Sequence, residues 1–501
     1  MVSNSQAKTP LVDALRLCAN QPHAPFYTPG HKRGAGISQP LVDLLGRGVF
    51  RADLTELAEL DSLFAPVGVI QEAQELAAEA FGADRTWFLV NGSTSGIIAA
   101  VLATCGMGDK IILPRNAHSC AIAALILSGA IPIFVVPEYD PILDIAHSIT
   151  PLAVADALKQ HPDAKAVMML YPTYYGVCGD VAAIASLAHQ YNIPLIVDEA
   201  HGAHFAFHPE LPTPALSAGA DLTVQSIHKT LSALTQASML HVRGSRIDQN
   251  RLSNALQLVQ STSPSYLLLA SLDAARQQMA LQGKQLIERT LDLARVARTK
   301  ISQIPGLSSL ELKKTPGCFA LDRTRLTVTV SGLGLTGFEA DDIFHQHKGV
   351  NAELPSLQHL TFIISLGNTD ADIAQLVQAF TTLAKEYRRT EDIKSVGDER
   401  DLGDLGKESS LPTIYDHTPR LAPLSPREAF FAPTEILPLE MLRSRICAEL
   451  VCPYPPGIPV LIPGEVVTKA ALDYLQQIRA LGGVISGCAD PSLKTLKVLK
   501  S

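Results

Sequence analysis

The sequence predicts an α/β fold, in which a mostly parallel β-sheet is covered by helices on both faces. Short apolar segments rich in branched residues alternate with segments of helical periodicity between Gln71 and Asp198, a pattern typical of parallel sheets. Small or polar residues follow two of these strands where they end, at 91–96 and at Asp198. Because ligands of open α/β sheets bind beyond the carboxyl ends of the strands, this edge is the expected site.

The predicted elements follow one another in a regular order. Helices are predicted over 11–19, 71–81, 96–104, 121–128, 154–160 and 181–190, and strands over 86–90, 110–113, 132–136, 166–170, 193–197 and 222–225. A long helical region is predicted from 253 to 304, where Pro305 and Gly306 end it. Two more strands are predicted over 325–331 and 360–366.

Changes in composition divide the chain into five predicted parts. They are an N-terminal segment 1–60, a large domain 61–305, a small α+β domain 306–388, an acidic linker 389–428 and a C-terminal domain 429–501. The linker is rich in Asp, Glu, Gly, Ser and Pro and has little periodicity. We therefore interpret it as a partly mobile surface segment.

Bulk composition limits the partners of the protein. Of 501 residues, 41 are basic and 49 acidic, and the net charge of −8 argues against nucleic acid or an anionic membrane as the main partner. The eight cysteines form no CxxC pair, so neither a disulfide framework nor a zinc knuckle is indicated. Residues 1–10 carry no apolar signal core, and every long apolar run is interrupted. We expect a cytoplasmic protein.

Asp198 and Lys229 form the most informative pair in the sequence. Asp198 ends one apolar strand, and Lys229 follows the strand 222–225. Pyridoxal 5'-phosphate (PLP) needs both residue types, a lysine that binds its aldehyde as a Schiff base and a carboxylate that keeps its pyridine nitrogen protonated. Alone, Asp198 could cap a helix and Lys229 could lie on the surface. Together they predict a PLP site.

Small polar residues supply a candidate phosphate site. Ser93, Thr94 and Ser95 lie between a predicted strand and a predicted helix, where backbone N–H groups and hydroxyls favour an anion. Ser226 could add a further donor. An ordinary helix cap and tight turn would have the same composition. His201, three residues after Asp198, could reach the phenolic oxygen of the cofactor.

Two other functions share some of these residues. The string Asp-Glu-Ala-His that begins at Asp198 also occurs in nucleic-acid helicases, but those need a GxxxxGK[ST] loop that this chain lacks. His201, His204 and His208 have spacings of three and four that suit zinc on one face of a helix. However, His208 precedes Pro209 in a predicted loop, and no cysteine or carboxylate completes the set.

Several ordered sequence blocks resemble one known family. The blocks are TPGHK at 28–32, GVIQEA at 68–73, VNGSTSG at 90–96, PRNAH at 114–118, YPTYYG at 171–176, DEAHGAH at 198–204, QSIHKT at 225–230, PYPPGIP at 453–459 and PGE at 463–465. With these blocks the chain resembles the Orn/Lys/Arg decarboxylases of PLP fold type I, the aminotransferase-like fold, and in particular their shorter bacterial members. The resemblance runs from about Thr9 to the C-terminus.

The resemblance implies a role for each of several residues. These are Lys229 as the Schiff-base lysine, Asp198 as partner of the pyridine nitrogen, His118 stacked on the ring, Ser93, Thr94 and Ser226 at the phosphate, and His228 beside the reacting Cα. It also implies a homodimer or a higher homo-oligomer. The family often has Cys-His-Lys where this chain has Ala117, His118 and Ser119. The short members lack an N-terminal wing, so large rings are not expected.

The expected reaction is α-decarboxylation of a basic L-amino acid, with arginine slightly favoured over lysine and ornithine. A cationic tail needs a carboxylate in its pocket, and Glu449 and Glu353 are candidates, although each could equally be a structural or surface acid. Another fold-type I enzyme, such as an aminotransferase or an acyl-CoA-condensing synthase, would share Asp198 and Lys229. A catalytically silent relative is the third alternative.

Overall fold

The computed structural model describes residues 4–313, 315–394, 424–454 and 456–500. The chain divides into two compact units, Met1–Thr104 with Val181–Glu288 and Cys105–Asp180 with Arg289–Ser501. Residues 395–423 of the predicted linker lie outside the described part. Its described ends belong to helices, Asp370–Lys394 and Pro426–Phe431. The five-part division of the chain therefore stays a prediction.

The first unit contains four strands and a set of mostly amphipathic helices. Its α-helices are Pro10–Asn20, Gln39–Leu45, Arg47–Ala52, Val69–Phe81, Gly92–Thr104, Val181–Gln190, Ile227–Thr230, Gln249–Val259 and the first part of Tyr266–Ser302; its strands are Arg85–Leu89, Leu195–Asp198, Leu222–Gln225 and Ser238–Val242. Three of these strands confirm the predicted strands within a few residues, and so do four helices for the predicted helices: Pro10–Asn20, Val69–Phe81, Gly92–Thr104 and Val181–Gln190.

The strands of the first unit are joined in a defined order. Leu195–Asp198 pairs in parallel with Leu222–Gln225. Ser238–Val242 runs antiparallel to Leu222–Gln225 on one side and to Arg85–Leu89 on the other. The strand Ser238–Val242 is absent from the sequence prediction. It runs antiparallel to both of its neighbours, and the connection that leads to it from Gln225 contains the helix Ile227–Thr230.

The long helical region is interrupted, contrary to the sequence prediction. It consists of two helices, Gln249–Val259 and Tyr266–Ser302. The break carries Ser-Thr-Ser followed by Pro264, and proline disfavours helical backbone in the residue before it. Within the break, Gln260 accepts a hydrogen bond from the backbone N–H of Val90 through its side chain (2.9 Å). The interruption thus supports the strand end that leads to residues 91–96.

In its described part, the second unit contains three parallel strands and five smaller sheets, one of four strands and four of two strands. Its α-helices are Ser119–Ser128, Pro151–Gln160, Gly337–Ile343, Asp370–Lys394, Pro426–Phe431 and Lys469–Ala480, and its strands are Lys110–Pro114, Ile131–Val135, Tyr139–Asp140, Ile145–Ala146, Ala166–Leu170, Val177–Cys178, Ser308–Ser309, Ala320–Leu321, Arg325–Thr329, Leu354–Pro355, His359–Ile363, Thr434–Pro438, Cys452–Tyr454, Val484–Ser486 and Thr495–Leu499. Lys110–Pro114 lies between Ile131–Val135 and Ala166–Leu170 and is parallel to both.

Two apolar cores stabilise the later part of the second unit. One packs an antiparallel four-stranded sheet, which includes Arg325–Thr329 and His359–Ile363, against helices, with Phe344 and Phe380 fully buried. The other joins C-terminal strands to the helix Lys469–Ala480. No helix in the described part of the chain is both long and apolar enough to span a bilayer.

Candidate active site

Lys229 lies on a four-residue helix, Ile227–Thr230, that directly follows the strand Leu222–Gln225. Its Nζ is 3.1 Å from Nε2 of His201, whose ring is buried. The sequence places His201 three residues after Asp198, and the structure brings it to the tip of the lysine. The lysine amine therefore has an imidazole nitrogen as a hydrogen-bond partner.

Asp198 is the last residue of the strand Leu195–Asp198 and is 4% exposed. It pairs in register with Val224 of the parallel neighbour, and its Oδ1 accepts a hydrogen bond from the N–H of Ala200 (3.2 Å). Two further backbone bonds join the segments beyond the strands, from Glu199 to Val224 (3.0 Å) and from Ser226 to Ala200 (3.3 Å). The ends of two parallel strands thus bring Asp198 and the lysine helix to one edge of the sheet.

Two serines from distant parts of the sequence meet at this edge. The hydroxyl of Ser226 donates to Oγ of Ser93 at 2.9 Å. Ser93 belongs to the first turn of the helix Gly92–Thr104, where backbone N–H groups lack partners within the helix. Thr94 in the same turn is exposed. Paired hydroxyls beside a helix N-terminus form an arrangement that suits a phosphate.

Ser95 differs from its two neighbours. Its hydroxyl donates to the carbonyl of Gly92 at 2.8 Å. The proton that was expected to face an anion is therefore used inside the turn. This bond stabilises the start of the helix, which leaves Ser93 and Thr94 as the hydroxyl donors of the turn.

Gly96 sets how closely this helix approaches the sheet. A Cβ atom at Gly96 would lie 2.6 Å from Cγ1 of Val224 and 2.7 Å from Cδ1 of Leu89. Only a residue without a side chain lets the helix pack this tightly on both strands. Gly96 therefore fixes the position of the first helical turn, and with it the distance between Ser93 and Ser226.

A buried polar network extends from the residue next to Asp198, and the sequence analysis did not identify it. Glu199 is fully buried; its carboxylate accepts hydrogen bonds from the N–H of Ala215 (2.9 Å) and from Nε2 of Gln225 (2.8 Å). Oε1 of Gln225 then faces Nε2 of His241 (3.2 Å), and Nδ1 of His241 faces the hydroxyl of Thr86 (2.7 Å). The network joins three strands of the first unit.

The pKa values of this network follow from its burial. Burial raises the pKa of the Glu199 carboxyl to about 7, against the opposing effect of its two hydrogen bonds. Burial also lowers the pKa of His241 to about 3, so its ring is neutral near pH 7. Because Gln225 donates to Glu199, its oxygen faces His241, and Nε2 of that ring carries the proton. The presence of Glu199 inside an apolar strand region is the signal that could have revealed the network.

His228 precedes the lysine and is held by its backbone neighbours. Its Nδ1 lies 3.0 Å from the carbonyl of Ala237, so this nitrogen donates and carries the proton. Burial, together with a smaller effect of the Lys229 charge, lowers the pKa of His228. In the neutral ring, Nε2 is left as the proton acceptor.

The three histidines of the zinc alternative have different surroundings. His201 contacts Lys229, and Nδ1 of His208 accepts a hydrogen bond from the N–H of Glu210 (3.3 Å). Among the residues that the structure describes, no group of three or more His, Cys, Asp or Glu side chains has the geometry to hold a metal ion. The arrangement gives the zinc alternative no support.

His118 lies in the second unit, where it caps the helix Ser119–Ser128. Its Nδ1 accepts a hydrogen bond from the N–H of Cys120 (3.3 Å). The next residue, Ser119, donates its N–H to the carbonyl of Gly457 (3.0 Å). A Cβ atom at Gly457 would lie 3.1 Å from Nε2 of His118, and the backbone there has a φ of +84°. His118 is thus packed against the glycine of the block at 453–459.

Arg115 connects the same two sequence blocks. Its guanidinium pairs with the carboxylate of Glu465 (3.0 Å) and donates to the carbonyls of Pro459 (2.7 Å) and Val460 (2.9 Å). Both members of the ion pair are buried. The blocks at 114–118 and 453–465, far apart in the chain, therefore form one structural feature.

The two acids proposed for the substrate tail differ in their surroundings. Both carboxylate oxygens of Glu449 accept backbone N–H groups, from Ala489 (2.7 Å) and Lys497 (2.8 Å). These two bonds anchor the carboxylate of Glu449 inside the C-terminal region, and its assignment to the substrate tail stays a prediction. Glu353 accepts a hydrogen bond from the hydroxyl of Tyr174 (3.4 Å).

Comparison with known proteins gives a consistent result along the whole chain. The sequence models of the Orn/Lys/Arg decarboxylase major domain and C-terminal domain match residues 9–388 and 413–489. The chain is 41% identical over 498 residues to an arginine decarboxylase of Bacillus subtilis, covering 99% of both chains. An arginine decarboxylase of Halalkalibacterium halodurans is 40% identical over 497 residues, covering 99% of this chain and 98% of the relative.

Solved structures show the same relationship. Lysine decarboxylase A from Pseudomonas aeruginosa superimposes with a TM-score of 0.82 at 26% identity, over 99% of this chain and 81% of that one. The lysine decarboxylase LdcF of Francisella novicida has a TM-score of 0.84 at 22% identity, covering 99% and 82%, which confirms the fold. The predicted fold type I, with a small α+β domain and a C-terminal domain, is therefore confirmed. The chain belongs to the Orn/Lys/Arg decarboxylase family, a family of PLP-dependent enzymes that act on basic amino acids.

Proposed function

We propose that the protein decarboxylates L-arginine at Cα in a PLP-dependent reaction and accepts lysine and ornithine less well. The observation that carries the chemistry is the arrangement of Lys229, His201 and Asp198 at one edge of the sheet. The preference for arginine is supported by relatives of about 40% identity that are named arginine decarboxylases, whereas a lysine decarboxylase of Pseudomonas aeruginosa is 28% identical.

The residues of the first unit fit the cofactor. Ser93 and Ser226, with the N-terminal turn of the helix at Gly92, would hold the phosphate. Lys229 would bind the aldehyde through Nζ, and Asp198 would face the pyridine nitrogen. Bound PLP supplies a ring that accepts the electron pair left on Cα when the carboxyl group departs. The role of His118 stays a prediction from the family resemblance.

Each of these residues has a defined task in the proposed reaction. Lys229 must lose a proton before its amine attacks a carbonyl carbon, and Nε2 of His201 lies within hydrogen-bond distance to take it. The buried carboxylate of Asp198 would keep the pyridine nitrogen of bound PLP protonated. In the overall reaction the bond from Cα to the carboxylate breaks, CO₂ leaves, and Cα takes up one proton. Lys229 would deliver that proton, or His228 would do so after its Nε2 has taken up a proton from solvent.

The experiment that tests the proposal measures CO₂ and amine release by the purified, PLP-loaded protein. L-arginine, L-lysine and L-ornithine are supplied separately. We expect agmatine and CO₂ in equal amounts from arginine, and lower kcat/KM for the other two. Lys229→Ala should lower turnover by about 1000-fold or more, whereas Lys284→Ala, at an exposed lysine of the same unit, should leave it unchanged. Near-normal turnover by Lys229→Ala would overturn the assignment.

We also propose that the protein is a cytoplasmic homodimer. Large apolar side chains are exposed in the N-terminal region, including Phe26 (94%), Leu44 (77%) and Val67 (87%). We propose that these side chains contribute to the contact between subunits, since apolar surface at an interface is removed from water. No disulfide joins the eight cysteines, all of which lie in the described part of the chain, in keeping with a reducing compartment. Sedimentation of wild type and Leu44→Glu would test the dimer; a wild-type monomer would contradict it.

A further inference from the structure

The second unit contains a cavity that the proposed reaction does not assign. Its volume is about 110 Å³, several times the roughly 10–15 Å³ that one water molecule needs. Aromatic rings form much of its wall, and these are Tyr139, Tyr174, Tyr175, Phe338, Tyr454 and Tyr474. Such a wall offers the faces of several π-systems to whatever occupies the cavity.

One carboxylate lies in this aromatic wall. Asp144 belongs to the turn between the strands Tyr139–Asp140 and Ile145–Ala146, and its backbone has a φ of +53°. The hydroxyl of Tyr139 donates to its Oδ1 at 2.6 Å. Burial raises the pKa of the Asp144 carboxyl, although the bond from Tyr139 opposes this effect. The hairpin thus holds a desolvated acid against the cavity in a fixed orientation.

No counter-charge for this acid lies in the described part of the cavity wall. Among the described residues that line the cavity, Asp144 is the one carboxylate, and none is a lysine, arginine or histidine. A desolvated carboxylate is costly unless a cation or several hydrogen bonds compensate it. Aromatic faces also attract cations, more strongly where water is excluded. Charge and shape therefore favour a small organic cation over a neutral or anionic ligand.

We propose that this cavity binds an alkylguanidinium group, which donates two N–H groups to Asp144 and stacks on the surrounding tyrosines. A guanidinium is planar, weakly hydrated and suited to both contacts, whereas an ammonium is a compact, strongly hydrated charge. The choice of guanidinium rests on the proposed function. The bound group is either the tail of the substrate or a separately bound guanidinium compound, such as the product agmatine.

The first part of the test measures binding and needs no turnover. Calorimetric titration of the full-length, PLP-loaded protein with methylguanidinium is compared for wild type, Asp144→Asn and Asp163→Asn. Asp163 is the control, because it is exposed and pairs with Lys110 in the same unit. We expect Asp144→Asn to weaken binding about tenfold or more and Asp163→Asn to have no effect. Methylammonium should bind wild type more weakly than methylguanidinium does.

Tyr454→Leu is a second variant, in case Asp144→Asn fails to fold. Tyr454 is 59% exposed, so the loss of its ring should be tolerated by the fold. We expect binding weaker by about twofold to fivefold. Equal affinity for methylguanidinium in wild type and in every folded cavity variant would overturn the proposal, as would the absence of binding to wild type.

The second part of the test identifies the source of the guanidinium. If the tail of arginine occupies the cavity, Asp144→Asn raises KM for arginine about tenfold and changes kcat much less. If the bound compound is separate, KM is unchanged while agmatine still binds wild type more tightly than Asp144→Asn. Failure of the proposed decarboxylase activity would appear as no CO₂ release by wild type, and the binding result would stand independently of it.

Discussion

Nζ of Lys229 lies 3.1 Å from Nε2 of His201, although 28 residues separate them in the sequence. Each residue follows one of two paired parallel strands, so the distance is set by strand register and not by local sequence. An imidazole at this distance is positioned to accept the proton that the lysine must lose before it reacts. The rest of the candidate site, including Ser93, Ser226 and Asp198, is built around the same strand ends.

The serine pair should determine cofactor affinity as a unit. Ser226 donates to Ser93, so the loss of either hydroxyl changes the orientation of the other. We expect Ser93→Ala and Ser226→Ala each to weaken PLP binding about tenfold. In the double variant, PLP affinity should fall by less than the product of the two single factors, because the two serines are in contact. PLP titration followed by absorbance measures the affinity of all three variants. Strictly additive losses of binding free energy would contradict a joint role of the two serines.

Glu199 should make stability depend on pH near neutrality. Its folded pKa of about 7 lies above the ordinary value of 4.5, so the folded protein binds the proton more tightly than the unfolded chain. The contribution of Glu199 to the free energy of unfolding is fully present below pH 4.5 and is lost as pH rises through about 7. The change is roughly 3 kcal/mol. We expect the stability of wild type relative to Glu199→Gln to fall over this range, measured by urea unfolding at several pH values.

The same network allows a check on that prediction. In the Glu199→Gln variant, Gln225 can turn its amide to offer its oxygen to the new side-chain amide, and His241 can then change its tautomer toward Thr86. The substitution should therefore preserve the fold and alter mainly the pH dependence. His241 acts in the opposite direction, because its lowered pKa makes stability fall as pH drops below 6.5. A relative stability independent of pH would contradict the raised pKa of Glu199.

Gly96→Ala should destabilise the protein although alanine favours helices. The added Cβ would meet Val224 and Leu89 at well below contact distance, and such overpacking costs about 1–3 kcal/mol. Gly48→Ala is the matched control, since Gly48 is also helical and a Cβ there meets nothing within 4 Å. We expect that control to be neutral or to stabilise by up to about 1 kcal/mol. Thermal unfolding compares the two; equal melting temperatures would show that the helix can shift.

Arg115 should contribute strongly to the stability of the second unit. Replacement by methionine leaves the buried Glu465 carboxylate without its counter-charge, although the N–H of Ile462 still donates to it (3.0 Å), and removes the donor of two buried carbonyls. Breaking a buried ion pair in this way typically costs about 3–5 kcal/mol. Lys110→Met provides the comparison, because the pair of Lys110 with Asp163 is more exposed and should contribute little to stability. Urea unfolding gives both values. Similar losses in the two variants would show that burial of the Arg115 pair has no special effect.

The sequence predicted the fold class and the central pair Asp198 and Lys229 because both depend on local patterns. Strand and helix periodicities reveal elements one at a time, and a parallel sheet places all its carboxyl ends at one edge. A carboxylate after one strand and a lysine after another must therefore lie close together. The blocks that carry the family resemblance were informative for the same reason, since several of them lie at these strand ends.

The tertiary structure decided the features that depend on contacts between distant segments. The hydroxyl of Ser95 donates to the carbonyl of Gly92, and both carboxylate oxygens of Glu449 accept backbone N–H groups, contacts that the sequence did not predict. The raised pKa of Glu199 results from burial, which its place next to an apolar strand indicates, but its partners Ala215 and Gln225 come from distant parts of the sequence. The same holds for Asp144, which is a candidate cation ligand because aromatic side chains from five separate parts of the chain line the same cavity. Desolvation and hydrogen-bond direction are properties of the packed protein, and they determine which of the predicted residues are available for chemistry.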